Sequence, residues 1–214
     1  RTKMKLKIFI ISFIFIFSSM LFPAFELDFA GKIGVADSFT DLTGEVFEPR
    51  IDLNLQLGYN FPINKSSFRS MSLLFDTGID ARMISLKNDN YKINQLEAGG
   101  ITTGLALKFI FTPVLNSKID LVFGLSSGVK FIPIIDDLNI KPNKVPISPY
   151  VNLFLEDRIY NINETLAFVY GINIFYEYMI FDKSDINNLF GGYNINQHHS
   201  IGAMLSIGFH FGKR

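Results

Sequence analysis

Strict alternation of apolar and polar residues, repeated in eight segments, predicts an all-β chain. The expected fold is an eight-stranded antiparallel up-and-down transmembrane β-barrel behind an N-terminal signal peptide. Two further observations agree: the segments are joined by connections that alternate long and short, and Trp and Cys are absent while Phe reaches 23. Phe offers no hydrogen bond, so rings in such number belong in a core or against lipid.

The chain opens with a basic stretch, Arg1, Lys3, Lys5 and Lys7, followed by an apolar run from Ile8 to Phe17 and then Ser18, Ser19, Pro23 and Ala24. That run is too short for a confident membrane helix and fits the apolar region of a signal peptide, with cleavage expected near Ala24. An uncleaved N-terminal anchor is the alternative. The division expected is thus 1–24 signal peptide and 25–214 barrel. Beyond residue 24 no eighteen consecutive residues are apolar, so entry into a membrane by helix is excluded.

The clearest strand is 51–61. Ile51, Leu53, Leu55, Leu57, Tyr59 and Phe61 occupy one face and Asp52, Asn54, Gln56, Gly58 and Asn60 the other. Side chains on a strand alternate between faces, whereas a helical period would mix the two sets. Residues 25–36 oppose Phe25, Leu27, Phe29, Ile33 and Val35 to Glu26, Asp28 and Lys32. Residues 71–83 oppose Met71, Leu73, Phe75 and Ile79 to Asp76, Asp80 and Arg82; residues 101–111 oppose Ile101, Leu105, Leu107, Phe109 and Phe111 to Thr102, Gly104 and Lys108. In 119–131 Leu121, Phe123, Leu125, Val129 and Phe131 oppose Asp120, Ser126 and Lys130. In 151–159 Val151, Leu153 and Leu155 oppose Asn152, Glu156 and Arg158, and Asp157 breaks the apolar face. Parity then changes: 166–178 places Leu166, Phe168, Tyr170, Ile172, Ile174, Tyr176 and Tyr178 against Gly171, Asn173 and Glu177. Residues 201–211 end the series with Ile201, Leu205, Ile207, Phe209 and Phe211 against Gly202, Ser206, Gly208 and His210.

Which face points outward decides the class. A soluble barrel turns its apolar face inward. Here the charged face is also rich in Gly, as a crowded lumen needs beside long side chains, and eight strands leave an interior just wide enough for side chains to fill it. The apolar face is therefore expected to meet lipid. Long connections are expected at 37–48, 84–98, 133–148 and 180–197, and short ones at 62–68, 112–118 and 160–165. Long outside and short inside is the habit of an outer-membrane barrel with both termini in the periplasm. Aromatic Phe209 and Phe211 near the end resemble the signal that barrel-assembly machinery reads.

The lumen is expected to hold Lys32, Arg50, Arg82, Lys108, Lys130 and Arg158 with Glu26, Asp28, Asp52, Asp76, Asp80, Asp120, Glu156 and Glu177. Matching depths on neighbouring strands predict a cluster of Lys32, Asp52 and Arg82, the pairs Asp76 with Lys108 and Asp120 with Arg158, and His210 against Glu26. Unpaired charges in so narrow a space would be costly. A structural plug is expected over an ion pathway. With no Cys there are no disulfides, thiolate metal sites, catalytic thiols or lipidated cysteine. No metal or cofactor is expected. Removing 1–24 leaves 16 basic against 20 acidic residues, so nothing argues for nucleic acid. His198, His199 and Ser200 suggest a hydrolytic set, but neighbours on a strand face opposite ways and no motif with a mechanism is present; the expectation is no enzyme. Ligand-binding residues are expected in the long connections: Phe47 and Glu48; Lys87, Tyr91 and Lys92; Asp136, Lys141 and Lys144; Asp182 and Lys183.

With a signal peptide, eight alternating strands and the Phe209-His210-Phe211 ending together, the chain resembles the OmpA/OmpX-like architecture and, in composition, the small spirochaetal surface barrels of the Borrelia type. The resemblance rests on architecture and composition across residues 25–214. It implies a non-enzymatic, surface-exposed outer-membrane protein, an adhesin or agent of complement evasion, whose loops bind host factor H or laminin. Two alternatives stay open: a narrow porin-like channel or structural membrane protein, and a lipid-modifying barrel enzyme.

Overall fold

The computed structural model describes residues 25–40, 46–65, 67–87, 93–114, 117–135, 145, 147–180, 197–212 and 214. The expected signal peptide, 1–24, lies outside them. Eight strands follow in chain order: β1 (Phe25–Thr40), β2 (Val46–Lys65), β3 (Phe68–Lys87), β4 (Ile93–Phe111), β5 (Ile119–Ile135), β6 (Ile147–Tyr160), β7 (Leu166–Ile180) and β8 (Gln197–Phe211). Each pairs antiparallel with its sequence neighbours, and β8 closes onto β1. No edge is left to pair with another chain.

Register fixes the shape of the barrel. The line of cross-strand partners from Phe25 runs through Tyr59, Leu73, Leu107, Leu125, Leu153, Ile174 and Ala203, and returns to β1 at Val35, ten residues further along. A stagger of this size around eight strands tilts them by roughly 40° from the axis. Bulges interrupt the ladder near Pro62–Lys65, Phe68–Ser70 and Gly99–Ile101.

Accessibility decides the orientation left open by periodicity alone. Ile33 is 61% exposed, Leu53 45%, Leu105 58% and Leu205 60%, while Arg50, Lys108 and Arg158 are 1% exposed or less. The wall is apolar outside and charged inside. Interrupted by the hydroxyls of Thr77, Thr103 and Ser127, the apolar belt still far exceeds the patches water-soluble monomers expose, and it suits hydrocarbon.

Phe25 and Arg214 share one end, here called the near end, with the connections β2–β3, β4–β5 and β6–β7. The strands reach further toward the far end than alternation suggests. β1 and β2 pair out to Ser38 and Val46, and β3 and β4 out to Lys87 and Ile93, so much of 37–48 and 84–98 is hairpin and not loop. Alternation marks a strand only where the two faces meet different media. Beyond the belt both faces tolerate polar residues, and the pattern fades before the pairing does.

Candidate functional site: a lumen closed by two charge clusters

Because β1–β8 alternate without a slip through the belt, every second side chain projects inward, and the lumen is stacked in layers. The far-end cluster joins three cations to Glu177, Asp80 and Glu48, with Asp52 at its margin 3.9 Å from Lys130. Glu177 on β7 receives Arg50 at 2.7 Å and Arg82 at 2.8 Å, and Lys130 also bonds it. Asp80 holds Arg82 at 2.8 Å, and Glu48 holds Arg50 at 2.8 Å. The Arg50 guanidinium lies 4.5 Å over the ring of Phe175, itself buried in the lumen.

The near-end cluster is built on Arg158 of β6, which donates to Glu26 at 2.5 Å and to Asp28 at 3.0 Å. Lys108 donates to the same Asp28 at 2.6 Å and to Glu156 at 3.3 Å. His210 Nδ1 lies 2.6 Å from Asp28 and 3.5 Å from Glu26. Below it, Asp120 takes Arg69 at 3.3 Å and Arg214 at 2.8 Å. Arg214 stands beyond the last strand. Burial works against its charge, but the Asp120 carboxylate more than offsets this and holds its pKa above the ordinary arginine value.

Between the clusters the lumen is mainly hydrogen-bonded. Asp76 accepts from Asn54 at 2.6 Å, Gln56 at 3.2 Å and the Tyr150 hydroxyl at 2.9 Å. A cavity of about 30 Å³ remains there, lined by Lys32, Asp52, Thr102 and Asn152 among others. That is room for water and little else.

Periodicity told which residues point inward, but not which of them meet. Lys32 faces Asp52 across the β1–β2 ladder, yet the ion pair of Asp52 is with Lys130, at 3.9 Å, and Arg82 turns to Asp80, Glu177 and Glu48. Asp76 does not pair with Lys108. Asp120 and Arg158 are register partners, yet each binds other groups. Long side chains in a tilted barrel reach across the lumen, so cross-strand neighbours need not be ionic partners.

Of the residues expected to bind ligands, Glu48 has a different place. It is fully buried in the far-end cluster, accepting from Ser38 at 2.5 Å and from Ser200 at 3.0 Å. Its signal was readable: it continues the inward parity of Arg50 and Asp52. Phe47 falls within β2 and Lys87 ends β3. Tyr91, Lys92, Asp136, Lys141, Lys144, Asp182 and Lys183 lie outside the described residues. Tyr150, Asn54 and Gln56, which hold the middle layer, were not singled out by charge because they carry none.

Ser200, His198 and Glu48 do come together, but in an order unlike a nucleophilic relay. There the imidazole stands between hydroxyl and acid. Here Ser200 donates straight to Glu48, and His198 Nε2 lies 3.7 Å from the same carboxylate. His199 faces outward, where it shares a 2.7 Å hydrogen bond with the Tyr176 hydroxyl. Glu26, Asp28 and His210 are near enough together to hold a metal ion, but Arg158 and Lys108 already neutralise the two carboxylates.

No protein-family model matches the chain, and no curated protein sequence is similar to it. Among solved structures it is similar to the outer membrane protein OprG from Pseudomonas aeruginosa, with a TM-score of 0.45 and 13% identity over 88% of this chain and 95% of that one. It is also similar to Neisserial surface protein A, at 0.42 and 15% over 88% and 96%, and to the outer membrane enzyme PagL, at 0.42 and 10% over 82% and 98%.

Proposed function

We propose that the chain is a non-enzymatic outer-membrane surface protein whose work is done at the far end of a sealed barrel. The apolar belt anchors it in lipid, the near end with Phe25 and Arg214 faces the periplasm, and the far-end connections face outward and bind ligands. The observation that carries this reading is the filling of the lumen: two buried ionic clusters, around Glu177 and around Arg158, stand in series on the barrel axis. Ions crossing such a lumen would first have to separate desolvated charge pairs. Ser200 donating to Glu48, with no imidazole between them, speaks against a hydroxyl poised for attack.

Resemblance to the spirochaetal surface barrels makes host factor H or laminin the ligands to try, with attachment or complement evasion as the outcome. The test exchanges 41–45, 88–92, 136–146 and 181–196 for short polar turns, leaving the strands intact. Binding of the parent chain to immobilised factor H or laminin, lost on exchange, is expected. Binding retained by the exchanged barrel would overturn the reading. In planar bilayers the parent chain is expected to show no conductance above leak, and steady conductance would favour a channel. Lipid hydrolysis abolished by Ser200→Ala would favour an enzyme.

A further inference from the structure

One outward position of the belt carries an ionisable group. Asp157 on β6 faces the lipid side with Leu155 and Ile159, both more than 40% exposed, before and after it on the same face. Its cross-strand partners are Leu121 on β5 and Tyr170 on β7. Among the described residues of the apolar belt, no other ionisable carboxyl or basic side chain points outward. Arg158, next in sequence, is turned inward and bound to Glu26 and Asp28. Across the β6–β7 ladder Tyr170 stands directly opposite Asp157 on the same outward face.

A carboxylate among lipid-facing apolar residues is costly unless it finds a partner, and is a site by default. Its height is informative. Asp157 lies among the near-end aromatic girdle, beside Tyr170 and Phe168, whose ring centroids are 6.3 Å apart. Phe168 in turn meets Phe209 at 6.0 Å. Girdles of this kind mark the level of lipid headgroups. The groups that reach this level are headgroups, and an anion with aromatic rings beside it selects a cation: the carboxylate balances its charge and the rings add cation–π attraction.

We propose that Asp157, Tyr170 and Phe168 form a binding site for the ammonium headgroup of a membrane phospholipid. Its acyl chains run from there along Leu155 and Ile172 toward the middle of the belt. Charge complementarity favours this occupant over an anionic lipid, and the position at headgroup height favours it over a soluble amine. The site rests on the membrane-spanning reading of the outer face.

The experiment places the wild type, Asp157→Asn and Tyr170→Phe in vesicles of equal parts phosphatidylethanolamine and phosphatidylglycerol, extracts each gently and counts retained lipids by native mass spectrometry. Wild type is expected to retain phosphatidylethanolamine in roughly tenfold preference, a factor within reach of one ion pair with cation–π support. Asp157→Asn should fall to parity and Tyr170→Phe should lie between. Equal retention of both lipids by wild type, or an unchanged preference in Asp157→Asn, overturns the site while leaving the membrane reading intact. A wild-type dimer that Asp157→Asn dissociates would assign the carboxylate to a second copy and overturn it as well. A chain that enters no vesicle would overturn both readings together.

Discussion

A guanidinium shut away from water keeps company with carboxylates, and Arg158 has Glu26 and Asp28 at 2.5 and 3.0 Å. Replacing both sides of such a pair with apolar groups is often neutral, but removing one side strands the other. Arg158→Met should therefore destabilise the barrel by about 3–5 kcal/mol, read as a lowered denaturant midpoint in lipid vesicles. Spacing gives a second prediction at this scale. A methyl group on Gly128 would lie 2.6 Å from the Gly104 Cα and closer still to the Thr103 carbonyl, both backbone atoms. On Gly31, which faces outward, its nearest neighbour is Leu53 at 3.8 Å. Gly128→Ala should cost about 1–3 kcal/mol and Gly31→Ala should leave the midpoint where it was. The facing of all these residues was legible in the sequence, because parity alone sets it. Their partners were not. Arg158 and Asp120 share a register position, yet reach and tilt send Arg158 to β1 and leave Asp120 to Arg69 and Arg214.

At the scale of elements, the sequence marked each strand where it crosses the belt and lost it beyond. Val46 and Glu48 belong to β2 although they precede the apolar alternation, and the same holds for Ile93 through Gly99 in β4. Nothing outside the belt demands a greasy face, so pairing continues there under backbone hydrogen bonds, joined on the inner side by polar contacts such as Ser38 with Glu48. The short connections were easier, since turn chemistry is local. In the β6–β7 turn the Asn161 side chain accepts from the amides of Thr165 at 3.2 Å and Leu166 at 3.4 Å. Glu164 in the same turn has φ of 54°, left-handed backbone that costs a residue with Cβ. Asn161→Ala should lower stability by about 1 kcal/mol and Glu164→Gly should raise it by a similar amount. Opposite shifts of the unfolding midpoint would show it; shifts of the same sign would mean that the ion pair of the Glu164 carboxylate with Arg214 at 3.6 Å, lost in the Gly variant, dominates the turn.

For the molecule as a whole, the quantity that matters is the height of the apolar belt. On β8 the outward residues from Ile201 to Phe211 are apolar without a break, ten steps along the strand. At about 3.3 Å per step and a tilt of roughly 40°, that is about 25 Å along the axis. The polar outward residues begin at once beyond it, with His199 on β8 and Asp37 on β1, which pairs with Ile201. A bilayer of matching hydrocarbon thickness buries the belt and nothing else. A thicker one forces His199, Asp37 and Glu97 toward the hydrocarbon, at fractions of a kcal/mol per Å of mismatch. Folding yield should therefore peak in lipids whose hydrocarbon core is near 25 Å and fall steadily as the acyl chains lengthen. The chain has no Trp, so the readout is far-UV circular dichroism, with the mobility of unheated samples in gels as a second measure. A yield independent of chain length would mean that the wall is not seated in the bilayer by this belt. The lipid-facing role assigned to Leu53, Leu105 and Leu205 would then have to be given up, together with the assignment of the charged face to a sealed lumen inside a membrane.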